Sequence, residues 1–166
     1  LINFSYMLSE VGETKDITKY LDVADECKKV YLGDNHPDVI QISINKAKLE
    51  GEIGNFHLAL KNSESILKKV KRIIGENSIE AALLSNNIGT YYTLKGDFTT
   101  ATINVKAALD IYNKIYIDSH PNIAECYNNL GLLEMKKANF DDALDYFEKS
   151  CKIYVEVYRE AVDLNI

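Results

Sequence analysis

Three histidines, three cysteines and a few acidic pairs are the residues of this 166-residue chain that could do catalytic or metal chemistry, and their spacing argues against both. His36 and His120 occupy equivalent His-Pro-[Asp/Asn]-[Val/Ile] segments in separate loops, which reads as a helix-entry role rather than one shared metal site. His57 stands alone at the start of a helix and reads as solvated. Asp141 and Asp142 fall in a first helical turn, where the helix dipole favours negative charge, so they are expected to serve the helix rather than form a catalytic dyad. Cys27, Cys126 and Cys151 are odd in number with no ligand partner at metal-binding spacing, and they are expected to be buried, reduced thiols acting as small hydrophobes. No glycine-rich phosphate loop and no nucleophile beside a base is present. The expectation is therefore no catalytic residue, no metal, no cofactor and no enzyme activity.

The chemistry that does recur is that of the amide. Asn3, Asn45, Asn87 and Asn129 stand at a constant interval of 42 residues. An asparagine side chain carries both a donor and an acceptor, which suits the backbone of an extended peptide whatever its side chains are.

That interval belongs to the whole chain. Residues 117–158 form a copy that is found again at 75–116 and at 33–74, with 1–32 a partial repeat and 159–166 a terminal helix extension or cap. The chain opens on Leu1 in mid-helix and looks like a fragment of a longer polypeptide, within a single domain spanning 1–166. Inside the last copy, Ile123, Cys126, Tyr127, Leu130, Gly131 and Glu134 recur at spacings of three and four, as do Phe140, Ala143, Leu144, Phe147, Cys151 and Tyr154. The polar break at 136–139 has the length that joins antiparallel helices, so each copy is expected to be a helical hairpin. Leu130 and Phe147 belong to its core.

The columns of the repeat carry physical requirements. Gly12, Gly54 and Gly96 follow the first helix, where a left-handed residue ends it; Ala138 breaks the column, and Asn139 is expected to carry that turn one residue later. Ser5, Ala47, Gly89 and Gly131 form a small column that allows close helix approach, as does the mostly alanine column of Ile17, Ala59, Ala101 and Ala143 on the second helix. Asn35, Asn77 and Ser119 are the expected N-caps, with Asn77 and Glu80 as a capping box. Pro37 and Pro121 sit in the first turn, where a missing amide costs nothing. Lys46 replaces the apolar residue found at Ile88 and Leu130.

Leu130-Gly131, Ala143, Phe147, Ser150 and Tyr92 sit at the spacings of the tetratricopeptide repeat, whose usual period is about 34 residues. The longer period here, the His-Pro entries and the Asn-Asn-[Ile/Leu]-Gly segments at Asn86 and Asn128 resemble kinesin light chains. The resemblance implies an all-α fold: an α-solenoid of seven to eight antiparallel helices wound into a right-handed superhelix. First helices would line a concave groove, with Asn45, Asn87 and Asn129 on a bound peptide's backbone. Asn86, Asn128, Lys48, Lys136, Leu83 and Leu132 would lie beside them and select side chains, together with Tyr6, Gln41, Thr90 and Glu125. An alternative for the asparagine column is to order the helix stack. The lysine and arginine clamp of chaperone-binding tetratricopeptide domains is absent, since the comparable positions are Gln41, Leu83 and Glu125.

A net charge of −6 argues against nucleic acid as a partner. No run reaches the roughly 18 apolar residues of a membrane span, and no signal peptide opens the chain. The expectation is a cytoplasmic scaffold or adaptor for a protein or peptide partner. Two other classes stay open: a component of a cytoskeletal or ciliary assembly docked through its convex face and ends, and a regulatory arm of an enzyme or signalling protein. Uncovered terminal helices would favour self-association.

Overall fold

Seven helices, and no strand, are found among the described residues, which are 14–117 and 119–163 of a computed structural model. They are α1 (Thr14–Leu32), α2 (Pro37–Glu52), α3 (Phe56–Ile73), α4 (Ile79–Lys95), α5 (Phe98–Ile115), α6 (Pro121–Lys136) and α7 (Phe140–Asp163). Asn3, Ser5, Tyr6 and Gly12 lie outside the described residues. The chain divides into two compact units, Leu1–Ile73 and Ile74–Ile166, at the seam between the copies that begin at residues 33 and 75.

In the first unit α2 packs between α1 and α3. Leu21 and Ala24 of α1 meet Ile42 and Leu49 of α2 in one buried cluster. Where the other copies have Ile88 and Leu130, Lys46 instead ion-pairs with Asp22 at 2.6 Å and reaches Asp25 at 3.8 Å. The Asp25 carboxylate is buried and also holds Lys29 at 2.6 Å. The departure at Lys46 thus exchanges apolar packing for an ionic cluster between α1 and α2.

The second unit is built of two hairpins, α4–α5 and α6–α7, with α6 also packing on α5 and α4. Its core joins Ala82, Val105, Ala108, Ile111, Tyr112, Ile123, Cys126 and Leu130. The small column works as close contact requires. A Cβ on Gly89 would stand 2.3 Å from Val105 Cγ2, and one on Gly131 would stand 2.6 Å from the Phe147 ring. Ala101 and Ala143 are buried at the same interfaces, Leu130 is buried, and Phe147 is half-buried.

The helix entries correct the expected caps by one residue. His36 and His120 are the N-caps, each ring Nδ1 accepting an amide hydrogen, from Asp38 at 3.2 Å and from Asn122 at 3.1 Å. Proline at the next position holds its predecessor in extended backbone, so the cap must be that predecessor rather than Asn35 or Ser119. In the middle copy Ser78 takes the role, its hydroxyl accepting from the Ala81 amide at 3.2 Å; with Ser78 as the cap, Glu80 falls one residue short of the capping-box position, so the expected Asn77–Glu80 box does not form.

The turns show a second correction. Ala138 itself adopts the left-handed conformation, φ 62°, beside Gly54 at 89° and Gly96 at 86°. All three turns close with the same six-residue bond, Asn55 N to Glu50 O, Asp97 N to Tyr92 O and Asn139 N to Glu134 O, at 2.8, 3.0 and 2.9 Å. Asn139 contributes through its side chain, donating to Glu134 Oε2 at 2.7 Å, as Asn55 does to Glu50 at 2.7 Å. Burial pushes the Glu134 carboxyl up, but hydrogen bonds from Lys137 and Asn139 outweigh it and hold the group below the usual glutamate range.

The cysteines divide. Cys126 is buried in the core, with its thiol pushed up to about 12 by desolvation. Cys27 and Cys151 are exposed, contrary to expectation. Cys151 shares a column with Leu109, which α6 helps to cover; among the described residues no helix follows α7 to cover Cys151 in the same way.

Candidate peptide-binding face

Each first helix leaves one stripe least buried. On α4 it is Leu83, Asn87, Thr90 and Leu94, and on α6 Glu125, Asn129, Leu132 and Lys136, both at helical spacings of four, three and four. The first three members of the α4 stripe and Asn129 are half-buried; Leu94, Glu125, Leu132 and Lys136 are exposed. In the first unit α2 presents Gln41, Asn45, Lys48 and Glu52 in the same register, Asn45 half-buried and the rest exposed.

The asparagines of the 42-residue column differ in what their amides already hold. Asn45 accepts a bond from Gln41 Nε2 at 3.1 Å on its own helix. Asn129 donates to Asn86 Oδ1 at 3.0 Å, so its donor is engaged while its oxygen accepts no hydrogen bond among the described residues. Asn87 makes no side-chain hydrogen bond among the described residues, which leaves a half-buried amide with both functions open. Lys48 lies 3.8 Å from Glu52, a weak surface pairing. Lys136 has no ion pair among the described residues.

Asn86 is a correction to the expected groove face. It is 2% exposed, inside the α4–α6 contact, where it donates to Glu125 Oε1 at 3.3 Å and accepts from Asn129. Its place in the interface follows from its column, since the equivalent Ile44 is buried at the core of α2. Asn128, the third member, is half-buried at the edge of the stripe without a side-chain hydrogen bond among the described residues. The apolar member of that column was the signal for burial.

The histidines and acidic pairs take structural places. His36 and His120 serve as caps, and the His120 ring also stacks on Tyr116 with centroids 3.5 Å apart. His57 is exposed, and Asp141 and Asp142 open α7. No group of three His, Cys, Asp or Glu side chains among the described residues is arranged to hold a metal ion. No helix among them is long and apolar enough to cross a membrane.

Comparison with known proteins agrees with this architecture. Residues 79–155 match the tetratricopeptide repeat family. The chain is 27% identical over 122 residues to a clustered mitochondria protein homolog of Caenorhabditis elegans, covering 74% of this chain and 10% of that protein. A homolog of the same name from Culex quinquefasciatus is 27% identical over 104 residues, covering 61% of this chain and 8% of that protein. The chain thus spans about a tenth of the length of the curated relatives it matches. Among solved structures, BtubC (BKLC) from P. vanneervenii superposes with a TM-score of 0.76 at 18% identity, covering 93% of this chain and 62% of that one. The nearly identical TPR-like repeats of a Podosopora anserina kinesin light chain superpose with a TM-score of 0.65 at 14% identity, covering 93% and 74%. These likenesses establish the fold.

Proposed function

We propose that this tetratricopeptide-repeat chain, whose repeats are of the kinesin-light-chain kind, binds a peptide segment of a partner protein along the least buried stripe of its first helices. Repeats of this family generally mediate contacts between proteins and are typically non-catalytic. The observation that carries the finer reading is Asn87: a half-buried amide with no hydrogen-bond partner among the described residues, in a stripe whose inward neighbours Ile88, Gly89 and Tyr91 are all buried. A buried or half-buried polar group is stable when it is satisfied, and a peptide backbone offers the donor and acceptor pair that an amide needs. In the same unit the Asn129 oxygen accepts no hydrogen bond among the described residues, and in the first unit the Asn45 side chain donates none among them. Leu83, Leu132, Asn128, Lys48 and Lys136 are the side chains that would select among peptides. We place this activity in the cytoplasm, in line with the kinesin-light-chain likeness.

The test begins with peptides selected on the intact chain from a displayed random library, with affinity then measured by fluorescence anisotropy. A net contribution of about 0.5–1.5 kcal/mol per hydrogen bond predicts that Asn87→Ala weakens the selected peptides by about 2- to 12-fold. Lys106→Glu with Lys152→Glu, both exposed on second helices, is expected to leave them unchanged. The reverse pattern in folded proteins would sink the groove reading and favour docking through the second helices within a larger assembly.

A further inference from the structure

The first unit carries a feature that peptide binding does not use. An open cavity of about 680 Å³ is walled by Lys29 of α1, Asp34 of the following loop, Ser43 of α2, and Ser65, Ile66, Lys68, Lys69 and Arg72 of α3. In a chain of net charge −6, four of its 19 lysines and arginines stand in the five residues 68–72. Three of those four line this cavity.

The cations around the cavity are not equally occupied. Lys29 is held by Asp25 at 2.6 Å, and Lys69 donates to the Asp34 carbonyl, which ties the loop to α3. Lys68 and Arg72 make no ion pair or hydrogen bond among the described residues. They stand four residues apart on one face of α3, where like charges repel and destabilise a helix. The helix dipole favours cations in a last turn and so accounts for Lys71 and Arg72. It does not account for Lys68 and Arg72 turning into the same cavity as Lys29 and Lys69. A bound anion would relieve the repulsion and accept from both.

The rest of the wall narrows the ligand class. Ile66 is the one apolar side chain among the eight lining residues, so nothing there would hold a hydrophobic body. The volume lies within the range of small-molecule sites, whose walls are usually largely apolar. The Ser65 hydroxyl and the planar fork of Arg72 match the oxygens of a phosphate ester, whereas the Ser43 hydroxyl already donates to the Val39 carbonyl at 3.0 Å.

We propose that the cavity lined by Lys68, Lys69, Arg72 and Lys29 binds a small, multiply charged phosphate ester, either free in solution or as the headgroup of a phosphorylated lipid. Isothermal titration of the full 166-residue chain with sodium pyrophosphate and with soluble inositol trisphosphate tests it. The expected result is saturable binding, weakened about tenfold by Lys68→Ala and further by Lys68→Ala with Arg72→Ala. Arg72→Lys should retain part of the affinity, and Lys61→Ala with Lys71→Ala, exposed cations of the same helix outside the cavity, should retain all of it. Circular dichroism confirms that each variant is folded. Co-sedimentation with phosphatidylcholine vesicles containing phosphatidylinositol phosphate separates the two sources: capture assigns a lipid headgroup, and soluble binding without capture assigns a free metabolite. No saturable binding of either soluble ligand up to about 1 mM overturns the proposal. So does equal weakening in the Lys61→Ala with Lys71→Ala control, which would reduce the effect to diffuse attraction of counterions.

Discussion

Asn129 of α6 donates its side-chain amide to the Asn86 oxygen of α4 at 3.0 Å, so one asparagine of the exposed stripe is anchored by another inside the helix interface. Adjacent asparagines on α4 therefore do different work. Asn86 holds two side chains of α6, whereas Asn87 holds none among the described residues. Removing Asn86 strands the Asn129 donor in the interface and loses the bond to Glu125. We expect Asn86→Ala to lower unfolding free energy by about 1–3 kcal/mol and Asn87→Ala by less than about 0.5 kcal/mol. Urea unfolding of both variants gives the comparison, and an equal loss would mean that Asn87 is also structural.

Ala138 occupies a left-handed turn that glycine fills in the two earlier copies. An L-residue there is strained by about 1–2 kcal/mol, which glycine avoids at an entropic cost of about 0.5–1 kcal/mol. Ala138→Gly is expected to stabilise the chain by roughly 0.5–1 kcal/mol, read as a rise in the urea midpoint without a change in slope. A lower midpoint would show that the turn is held without strain.

The turn at Ala138 also shows what the sequence made legible. Hairpins, small columns and helix stripes follow from periodic residue types, because burial acts on every copy in the same way. The left-handed residue is Ala138 rather than Asn139 because the backbone bonds of the turn outweigh one residue's preference, and those bonds leave no mark in residue type. The N-caps shifted for a related reason: Asn35 and Ser119 are good capping residues, but the proline two residues on fixes the extended residue one place later, and in the middle copy, which has no such proline, Ser78 caps in place of Asn77. In the candidate face, the 42-residue asparagine column was readable, whereas the inward turn of Asn86 was readable only through its partner Ile44. The cationic cavity was missed because net charge averages over the chain and hides the cluster at 68–72.

The cap at His120 gives a pH dependence whose sign is fixed. Its Nδ1 accepts from the Asn122 amide, so the cap needs an unprotonated nitrogen there, and burial lowers the folded-state pKa below the usual 6.5. A lowered histidine pKa means that the unfolded chain binds the proton more readily. The stabilisation is complete above about pH 6.5 and declines as pH falls from there through the folded-state value. His120→Asn keeps a side-chain oxygen for the cap without titrating near neutrality. We expect wild type to lose more stability than His120→Asn between pH 7.5 and 5.5, measured by urea unfolding at each pH. Identical losses would remove His120 as the titrating group.

Asp25 and Lys46 depart together from an apolar pattern, and the structure explains why. Asp25 stands in the column of Leu67, Leu109 and Cys151, and Lys46 in that of Ile88 and Leu130. The two side chains face each other between α1 and α2 at 3.8 Å, with Lys46 held more closely by Asp22. One oxygen of the buried Asp25 carboxylate, Oδ1, has no hydrogen-bond partner. A buried ion pair of this kind gains little over apolar packing, whereas removing one partner leaves the other charge stranded. Lys46→Leu alone leaves Asp25 with Lys29 only, and should destabilise by about 1–3 kcal/mol. Asp25→Leu alone should cost less, because Lys46 keeps its contact with Asp22. The double substitution restores the apolar column and is expected to be neutral or stabilising by up to about 4 kcal/mol. The four proteins form a double-mutant cycle whose coupling energy is read from urea unfolding. Additive losses, with the double variant the least stable of the four, would show that the ionic cluster is the preferred packing of this interface.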